Sequence, residues 1–528
     1  MGIRRRRYVF AAIALPLVLA ACAPEPGKVR IELPQQYRQP QASLVTTFER
    51  RSGRIALIDE NGNLVVMDQT GGGIVKITKD AADNSTTATN QSTSAARSKV
   101  TNGYHWPVWS PDASQIAFVE VLAERSGMTR IIEYGANAVA IERGSDSVTI
   151  QQDENGQALQ RSPNTTSVLR APSRIIIESD TGGSILSSSI FTARADGKSP
   201  LQEVYAAEQL AIGYVDWSPD NSQLAFLAQS GSSEVALQLV GKDAGKPRKL
   251  VTGANATWQW NPDGKTLVAK VDSASNDNTA DLALLDTHAD QTISTITKQA
   301  DIPFGSPAFS PDGNAMLVTA KVDGQQYLAL ADNHGKIQRN LSPINGNVRF
   351  SWSPVSAKVA YIVLQSTATD AMGSMPAGVL HLLNVNSGED KVLSQMPVAA
   401  LFWSPDGERV AAFSPARVSD IRKDFPGVDL TSSQPSSVLM LQTIDINSRA
   451  FRQLFYIEPT TDFAHMLSQF DRFSRSMNIW SPDSHSLVFP VVYSNNTTSY
   501  NLIVETEASG SIEPRVISQG TLASWSPK

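Results

Sequence analysis

Short apolar stretches separated by polar turns recur from about residue 51 to residue 528. The clearest unit is Trp-Ser-Pro-Asp-Gly at 403–407, which is followed by apolar residues at the alternate positions Val410 and Ala412. Proline presets the first φ of such a turn, aspartate can accept a backbone hydrogen bond two residues on, and glycine supplies the positive φ that reverses the chain. The pattern predicts a β-hairpin with one buried face.

This hairpin recurs along the chain, each time with an aromatic residue immediately before the turn. The aromatic positions are Trp109, Trp217, Trp260, Phe309, Trp352, Trp403, Trp480 and Trp525. They are separated by 108, 43, 49, 43, 51, 77 and 45 residues. The compact intervals match the roughly 40 to 50 residues of a four-stranded propeller blade. We therefore predict an all-β protein, a β-propeller of four-stranded blades.

The two ends of the repeat region complete each other. Residues 54–59, 63–68 and 74–78 have the pattern of strands two to four of a blade that lacks its first strand. The last copy, at 524–527, has the pattern of a first strand. Pairing the C-terminal strand with the N-terminal blade would close the ring and remove its open sheet edges. With the last copy shared in this way, eight turn motifs predict eight blades, and the long first interval leaves seven or nine open.

The repeated turn, the apolar triplet after it and the third strand Val-Met-Asp at 66–68 resemble the TolB-type propeller repeat of bacteria. They also resemble the propeller domain of prolyl oligopeptidase-type enzymes. The resemblance covers about 51–528, although Asn261 and Val355 depart from the motif. It implies a propeller fold, and some TolB-like propellers are lyases that act on acidic sugars with histidines and a metal in the central channel. The motif residues form turns and blade packing, so they carry no activity by themselves.

The first 50 residues differ in composition from the repeats. Four arginines at 4–7 precede an apolar run at 8–19, and the sequence then reads Leu-Ala-Ala-Cys at 19–22. This pattern is typical of an export signal, because the apolar run is short for a membrane span and ends in small residues. An amphipathic or buried N-terminal helix is the alternative, which four arginines before an apolar block disfavour.

Cys22 is the single cysteine of the chain, so a monomer can form no disulfide. Its surroundings resemble the lipobox of bacterial lipoproteins, in which the matching cysteine becomes the acylated first residue of the mature chain. The resemblance implies a signal peptide at 1–21 and lipidation of Cys22, and the Pro-, Gln- and Ala-rich residues 22–50 would form a tether. We therefore predict an extracytoplasmic protein of the cell envelope, anchored to a membrane by its N-terminal lipid.

Two intervals between repeats are long enough to hold insertions. Residues 123–183 contain β-branched stretches separated by polar residues, which predict a projecting β-element, with an extra blade as the alternative. Residues 460–476 carry an apolar face at helical spacing. That face either packs on the blades or offers side chains to a partner. The candidate partner-binding residues are Phe463, Met466, Phe470 and Phe473.

The charge of the chain argues against nucleic acid as a partner. The formal net charge is −6, and loss of residues 1–21 with their four arginines would make it −10. A phosphate backbone would be repelled by such a surface. We expect a monomer whose partners are the membrane, through Cys22, and an envelope protein, peptide or glycan.

The sequence predicts neither a catalytic site nor a metal or cofactor site. A hydrolase domain would need roughly 200 or more residues and a Gly-x-Ser-x-Gly elbow, which does not occur. None of the six histidines has a metal-binding spacing, although His105 could face the mouth of the channel. Aspartates recur about once per turn motif, which indicates turn capping rather than catalysis. They are Asp112, Asp220, Asp263, Asp312, Asp406 and Asp483.

These features together predict a membrane-anchored, extracytoplasmic β-propeller lipoprotein that acts as a binding or scaffolding module. One alternative is a propeller enzyme of the glycan lyase or hydrolase type that uses the central channel. Histidines and a carboxylate converging at one channel mouth would favour that alternative. A second alternative is an accessory subunit of a separate transporter or hydrolase.

Overall fold

A computed structural model describes most of the repeat region. The described residues are 53–81, 99–125, 130–134, 140–142, 151–152, 158–159, 175–178, 184–230, 234–273, 279–288, 292–300, 305–364, 375–416, 438–494 and 499–528. Strands dominate, and they form seven large antiparallel sheets, which are the blades of a β-propeller. The predicted signal peptide, Cys22 and the tether lie outside the described residues.

The described chain begins with three short strands, and the first complete blade follows them. The three strands are β1 (Ile55–Asp59), β2 (Leu64–Met67) and β3 (Val75–Lys76). Blade 1 contains β4 (Lys99–Trp109), β5 (Gln115–Arg125), β11 (Ser184–Arg194) and β12 (Gln202–Glu208). The insertion between β5 and β11 contains β6 (Arg130–Tyr134), β7 (Ala140–Glu142), β8 (Gln151–Gln152), β9 (Ala158–Leu159) and β10 (Ile175–Glu178). These form sheets of three strands (β10-β6-β7) and two strands (β8-β9), separate from blade 1 among the described residues.

Blades 2 to 6 each consist of four consecutive strands. Blade 2 has β13 (Ile212–Trp217), β14 (Gln223–Gln229), β15 (Val235–Gly241) and β16 (Arg248–Gly253); blade 3 has β17 (Asn255–Trp260), β18 (Thr266–Asp272), β19 (Thr279–Asp286) and β20 (Thr292–Ala300). Blade 4 has β21 (Ala308–Phe309), β22 (Ala315–Val322), β23 (Gln325–Asp332) and β24 (Ile337–Ile344). Blade 5 has β25 (Val348–Trp352), β26 (Lys358–Leu364), β27 (Gly378–Asn384) and β28 (Asp390–Val398); blade 6 has β29 (Ala400–Trp403), β30 (Arg409–Pro415), β31 (Leu439–Asp445) and β32 (Phe451–Ile457).

The seventh blade corrects the predicted number of eight. It is one six-stranded sheet in the order β3-β2-β1-β35-β34-β33, where the last strands are β33 (Ser486–Ser494), β34 (Ser499–Glu507) and β35 (Arg515–Trp525). The first part of β35 pairs with β34 and its last part pairs with β1. The copy at Trp480 contributes a single bridge to Leu487 rather than a full inner strand. The last two turn motifs therefore share one sheet, and the described residues form seven blades.

Pairing between β35 and β1 closes the ring, as predicted from the two chain ends. Ile55 lies opposite Trp525, and the register shifts between Ile58 and Asp59. Gly520 lies at this shift, where a Cβ would come within 2.3 Å of the Ile58 carbonyl oxygen. Glycine is required there because β35 passes from one neighbour to the other with its backbone against β1.

The tryptophans before the turns connect neighbouring repeats. Five of these indoles donate from Nε1 to a backbone oxygen, always that of the residue before the aromatic position of the preceding repeat. The pairs are Trp109 to Ser524 (3.3 Å), Trp217 to Val108 (3.1 Å), Trp352 to Ala308 (3.3 Å), Trp403 to Ser351 (3.0 Å) and Trp480 to Phe402 (3.0 Å). Tryptophan suits this position because it combines a large apolar surface with one polar donor.

The apolar triplet after each turn forms the interior of the blades. In blade 1, for example, Ile116, Ala117 and Phe118 are fully buried. The equivalent residues of the other blades have exposed fractions of at most 1%. The core therefore lies between adjacent blades, and the first strands surround a central channel.

Two short helices lie between β32 and Trp480, within the predicted insertion at 460–476. They are α1 (Thr461–Ser468) and α2 (Phe470–Phe473). Thr460 caps α1 by accepting a hydrogen bond from the backbone N–H of Phe463 through its side chain. In the part of the chain that the structure describes, no helix has the length and apolarity needed to cross a membrane.

Candidate functional site

The helical insertion closes one end of the central channel. Phe463 packs edge-on against Phe413 of blade 6 (ring centroids 5.6 Å apart), and Phe473 packs against Tyr214 of blade 2 at 5.0 Å. Phe473 also stacks on Trp106 of blade 1 at 5.2 Å. The insertion thus contacts strands of blades 1, 2 and 6.

The candidate partner-binding side chains belong to this packing. Phe463, Met466 and Phe470 are fully buried, and Phe473 is 2% exposed. The structure therefore has the first of the two predicted arrangements, in which the apolar face packs on the blades. Contact of these four residues with a partner would require the insertion to leave the channel.

Polar contacts hold the insertion in place after α1. Asp471 accepts hydrogen bonds from the backbone N–H of Ser306 (2.7 Å) and from Arg349 Nη1 (3.0 Å), and its side chain is 3% exposed. Arg472 Nη2 donates to the Ala256 carbonyl oxygen at 3.0 Å. Because these partners lie on blades 3 and 5 and on the segment before blade 4, the insertion is fixed to three parts of the ring.

Between the insertion and the turns, the channel forms a pocket of about 310 Å³. Its floor is formed by Asp471, Arg472, Arg475 and Ser476 of the insertion and by Asn478, which follows the insertion. Its walls include the indoles of Trp109, Trp217, Trp258 and Trp260. The turn prolines Pro111, Pro219, Pro262 and Pro527 line the opposite end. The pocket is therefore reached from the face that carries the turns.

Asp216 and Arg475 are the unusual ionisable groups of this pocket. Enclosure by protein raises the pKa of Asp216 to about 7, although the backbone N–H of Trp217 and the charge of Arg475 act in the opposite direction. Enclosure also lowers the pKa of Arg475 to about 10, against the effect of Asp216. Arg475 donates to the Phe309 carbonyl oxygen at 2.9 Å, and its side chain remains accessible to solvent. A carboxyl that titrates near neutral pH can accept or release a proton in the pocket.

The predicted turn aspartates lie in the turns themselves. Each accepts a hydrogen bond from a neighbouring serine hydroxyl or backbone N–H within its own turn. The donors are Ser110 for Asp112, Ser218 for Asp220, Lys265 for Asp263, Ser310 for Asp312, Ser404 for Asp406 and Ser481 for Asp483. None of these aspartates is among the described residues that line the pocket.

The histidines are distributed over several blades. His105, in β4, is held with a lowered pKa because it is buried, although the charge of Asp462 opposes this effect. His465 on α1 contacts Trp106 at 5.4 Å between ring centroids. His381 lies 3.2 Å from Asp390 at the edge of blade 5. Among the described residues, no group of three or more His, Cys, Asp or Glu side chains could hold a metal ion.

Asp216 was not among the site residues predicted from the sequence. Its position is that of the residue before the aromatic of each motif, which is Val108, Gln259, Ala308, Ser351, Phe402, Ile479 or Ser524 in the other copies. A charged residue occurs there once, at 216, and this exception within the repeat was the available signal. Arg475 had no comparable signal, because its place at the channel floor depends on how the insertion folds back.

Comparison with protein-family models and with curated proteins gave no match. Among solved structures, the chain is similar to TolB from Acinetobacter baumannii, with 17% identity over 65% of this chain and 79% of that chain and a TM-score of 0.32. It is also similar to an oligogalacturonate lyase from Vibrio parahaemolyticus (13% identity, 77% of this chain, 98% of that chain, TM-score 0.39). A third neighbour is the propeller domain of the Trilobed protease from Pyrococcus furiosus (10% identity, 79% of this chain, 98% of that chain, TM-score 0.38).

The solved structures that are similar to the chain include TolB proteins and other β-propellers. They include enzymes as well as TolB, and at such low identity they carry no conclusion about activity. The sheet order of the chain itself establishes the architecture. The protein is an all-β propeller with a channel that is closed at one end by its own helical insertion.

Proposed function

We propose that this protein is a lipid-anchored, extracytoplasmic binding module whose ligand enters the central channel from the turn face. The observation that carries the proposal is the pocket of about 310 Å³ between the insertion and the turns. Ligand pockets of small molecules are concave, mostly apolar and provided with a few polar groups, and they begin at roughly 300 Å³. Tryptophan walls with two carboxyls and two guanidiniums match that description.

Closure of the channel at one end supports binding of a ligand rather than its transport through the channel. Asp471 and the buried phenylalanines fix the insertion across the far end of the channel, so a ligand would enter and leave at the turn face. The turns at the mouth are rigid because their aspartates bond their own backbones. A partner protein or peptide would approach the same mouth, as would the partner of an accessory subunit.

A propeller enzyme acting on glycans is the second candidate, and Asp216 is the observation that favours it. A carboxyl with a pKa of about 7 has the value of a general acid or base at neutral pH. The described histidines do not line the pocket, so catalysis would depend on Asp216 and Arg475.

Purification of the full-length protein from its own envelope in detergent tests the proposal. We expect a compound or peptide to copurify with the wild type and with Val355→Trp, which enlarges an exposed turn residue outside the pocket. Asn478→Trp, which fills the pocket floor, should abolish this copurification. Equal recovery with Asn478→Trp would contradict binding in the channel. Incubation of the recovered compound with fresh protein separates the candidates, since a binding module returns it unchanged and an enzyme converts it.

The anchor is tested separately with Cys22→Ala. Loss of the acylated residue should move the protein from the membrane fraction to the soluble fraction, because a lipid-modified Cys22 is the proposed attachment. Retention in the membrane after a carbonate wash would contradict a lipid anchor. The same variant should still bind the ligand of the pocket.

A further inference from the structure

The floor of the pocket has the opposite charge to the protein as a whole. The chain has a formal net charge of −6. The floor contains Asp471, Arg472 and Arg475, and Asp216 lies in the wall above it. Arg349, outside the lining, is paired with Asp471, so that these five groups together leave one positive charge in excess. A cationic enclosure inside an acidic protein concentrates anions, because the enclosing protein focuses the local field.

Most of these charges are already engaged by the protein. Asp471 is paired with Arg349, and Arg472 donates to the Ala256 carbonyl oxygen while lying over the Tyr214 ring at 5.7 Å. Asp272, whose charge also acts on Arg472, is bonded to Lys270 at 2.8 Å. These pairings leave Asp216 and Arg475 as the groups that a ligand would meet.

Most N–H donors of Arg475 are not used in its described hydrogen bonds. A guanidinium carries five N–H groups, and the described contacts of Arg475 use one of them, to the Phe309 carbonyl oxygen. Its side chain is enclosed by the ring of first strands but reached by solvent from the pocket. A planar guanidinium can donate two parallel hydrogen bonds to the two oxygens of a carboxylate.

We propose that the pocket binds the carboxylate of a small organic acid, with Arg475 as its ion-pair partner and the surrounding indoles in contact with its flat body. This inference rests on the proposed function and specifies its ligand class. A divalent cation is disfavoured by the excess of arginines, and a neutral ligand would leave Arg475 without a role.

Asp216 makes the binding depend on pH. An incoming carboxylate is repelled by ionised Asp216 and tolerated by the protonated form, so the ligand and a proton bind together. The other charged groups at the floor are the Asp471–Arg349 pair and Arg472, and Tyr214 stays neutral because burial raises its pKa well above the ordinary value. Carboxylate affinity should therefore increase as the pH falls from 8 to 6.

Matched probes that differ in charge and not in shape test the inference. Benzoate against benzamide, and indole-3-acetate against indole-3-acetamide, are titrated into the full-length protein in detergent, and calorimetry is the readout. We expect each acid to bind about tenfold or more tightly than its amide. Arg475→Met should remove this preference, Arg475→Lys should retain part of it, and Asp216→Asn should remove its pH dependence. Arg452→Met, at an exposed position of β32, should change nothing.

Two results would overturn the carboxylate assignment. One is equal or absent binding of the acids and their amides, and the other is an unchanged preference in a folded Arg475→Met protein. Thermal unfolding of each variant establishes that it is folded. If Asn478→Trp abolishes copurification of a ligand that proves to be neutral, the binding function stands and the carboxylate inference fails. If Asn478→Trp has no effect on any ligand, the binding function itself fails.

Discussion

Two aspartates of one hairpin, Asp216 and Asp220, lie in opposite surroundings. Asp220 sits in the turn and accepts hydrogen bonds from Ser218 Oγ (2.6 Å) and from the backbone N–H of Ser222 (3.0 Å). Partial burial acts to raise its pKa, but these hydrogen bonds outweigh it and the pKa is lowered. Asp216 faces the enclosed pocket, and loss of hydration raises its pKa to about 7.

The difference distinguishes a residue that stabilises a repeated turn from a residue that is a candidate for contact with a ligand. Asp220 has equivalents in most other turns, each bonded in the same way, so its role is to hold the hairpin. Asp216 has no charged equivalent in any copy of the motif. A residue that breaks the repeat at the channel, and whose charged form is disfavoured there, is the better candidate for a ligand contact.

The largest effect is expected from removal of residues 524–528. This deletion tests whether the surroundings of Asp216 and Asp220 in blade 2 depend on an intact ring. This deletion removes Ser524 and Trp525, which pair with Ala56 and Ile55 of β1, and with them the Ser524 oxygen that accepts from Trp109 Nε1. We expect the free energy of unfolding to fall by about 5 kcal/mol or more. Urea unfolding measures it, and deletion of Lys528 alone is the control. An unchanged midpoint for the longer deletion would contradict ring closure through β35.

Asp471→Ala extends the comparison to a buried aspartate whose charge is paired with an arginine. Its removal leaves Arg349 and the Ser306 N–H without their partner, which we expect to cost about 3 kcal/mol. Asp471→Asn, which can keep an acceptor for Ser306, should cost less. Urea unfolding gives the stability, and faster proteolysis within 460–478 would report release of the insertion. Equal stability of Asp471→Ala and the wild type would mean that apolar packing alone holds the insertion.

Asp216→Asn should stabilise the protein at high pH, which is the reverse of the usual effect of losing an aspartate. The folded pKa of Asp216 is about 7, above the value of roughly 3.9 in an unfolded chain. The folded state therefore loses stability as the pH rises between these values, and the variant escapes this loss. We expect equal stabilities near pH 4 and a gain of about 2 kcal/mol at pH 8, reduced by water in the pocket. A destabilised variant at pH 8 would show that ionised Asp216 supports the fold.

Asp220→Asn should give the smallest effect, with the opposite sign and pH dependence. Loss of a charged acceptor for Ser218 and Ser222 should cost about 1 kcal/mol at neutral pH. Because the folded pKa is lowered, this contribution is present above the unfolded pKa and disappears as the pH falls through the folded value. Asp243→Asn, an exposed residue paired only with its neighbour Lys242 among the described contacts, is the control and should change stability little.

Repetition made the fold predictable from the sequence. The turn motifs predicted the hairpins, and the incomplete patterns at 54–78 and 524–527 predicted the pairing of Ile55 with Trp525. The blade count was wrong because hydrogen bonding does not restart at each motif. β35 bonds to β34 and β1 in turn, and no spacing rule distinguishes one long strand from two short ones.

The pocket was harder to predict because it depends on non-repeated contacts. The apolar face of the insertion gave the helix but not its location, since Phe463 and Phe473 would pack equally well on any apolar surface. The floor exists because Asp471 meets Arg349, residues that are 122 positions apart. Periodicity within a segment carries no information about such a pair.

The double pairing of β35 also determines when the propeller can be completed. Ile55 and Trp525 are separated by 470 positions, so this contact is among the slowest to form, and it comes after the intervening chain has been synthesised. Until β35 arrives, β1 and β34 both present unpaired backbone groups to the surroundings. An incomplete chain would therefore have two exposed strand edges that favour aggregation. Protection from aggregation during folding thus depends on the pairing of β35, the last strand to form.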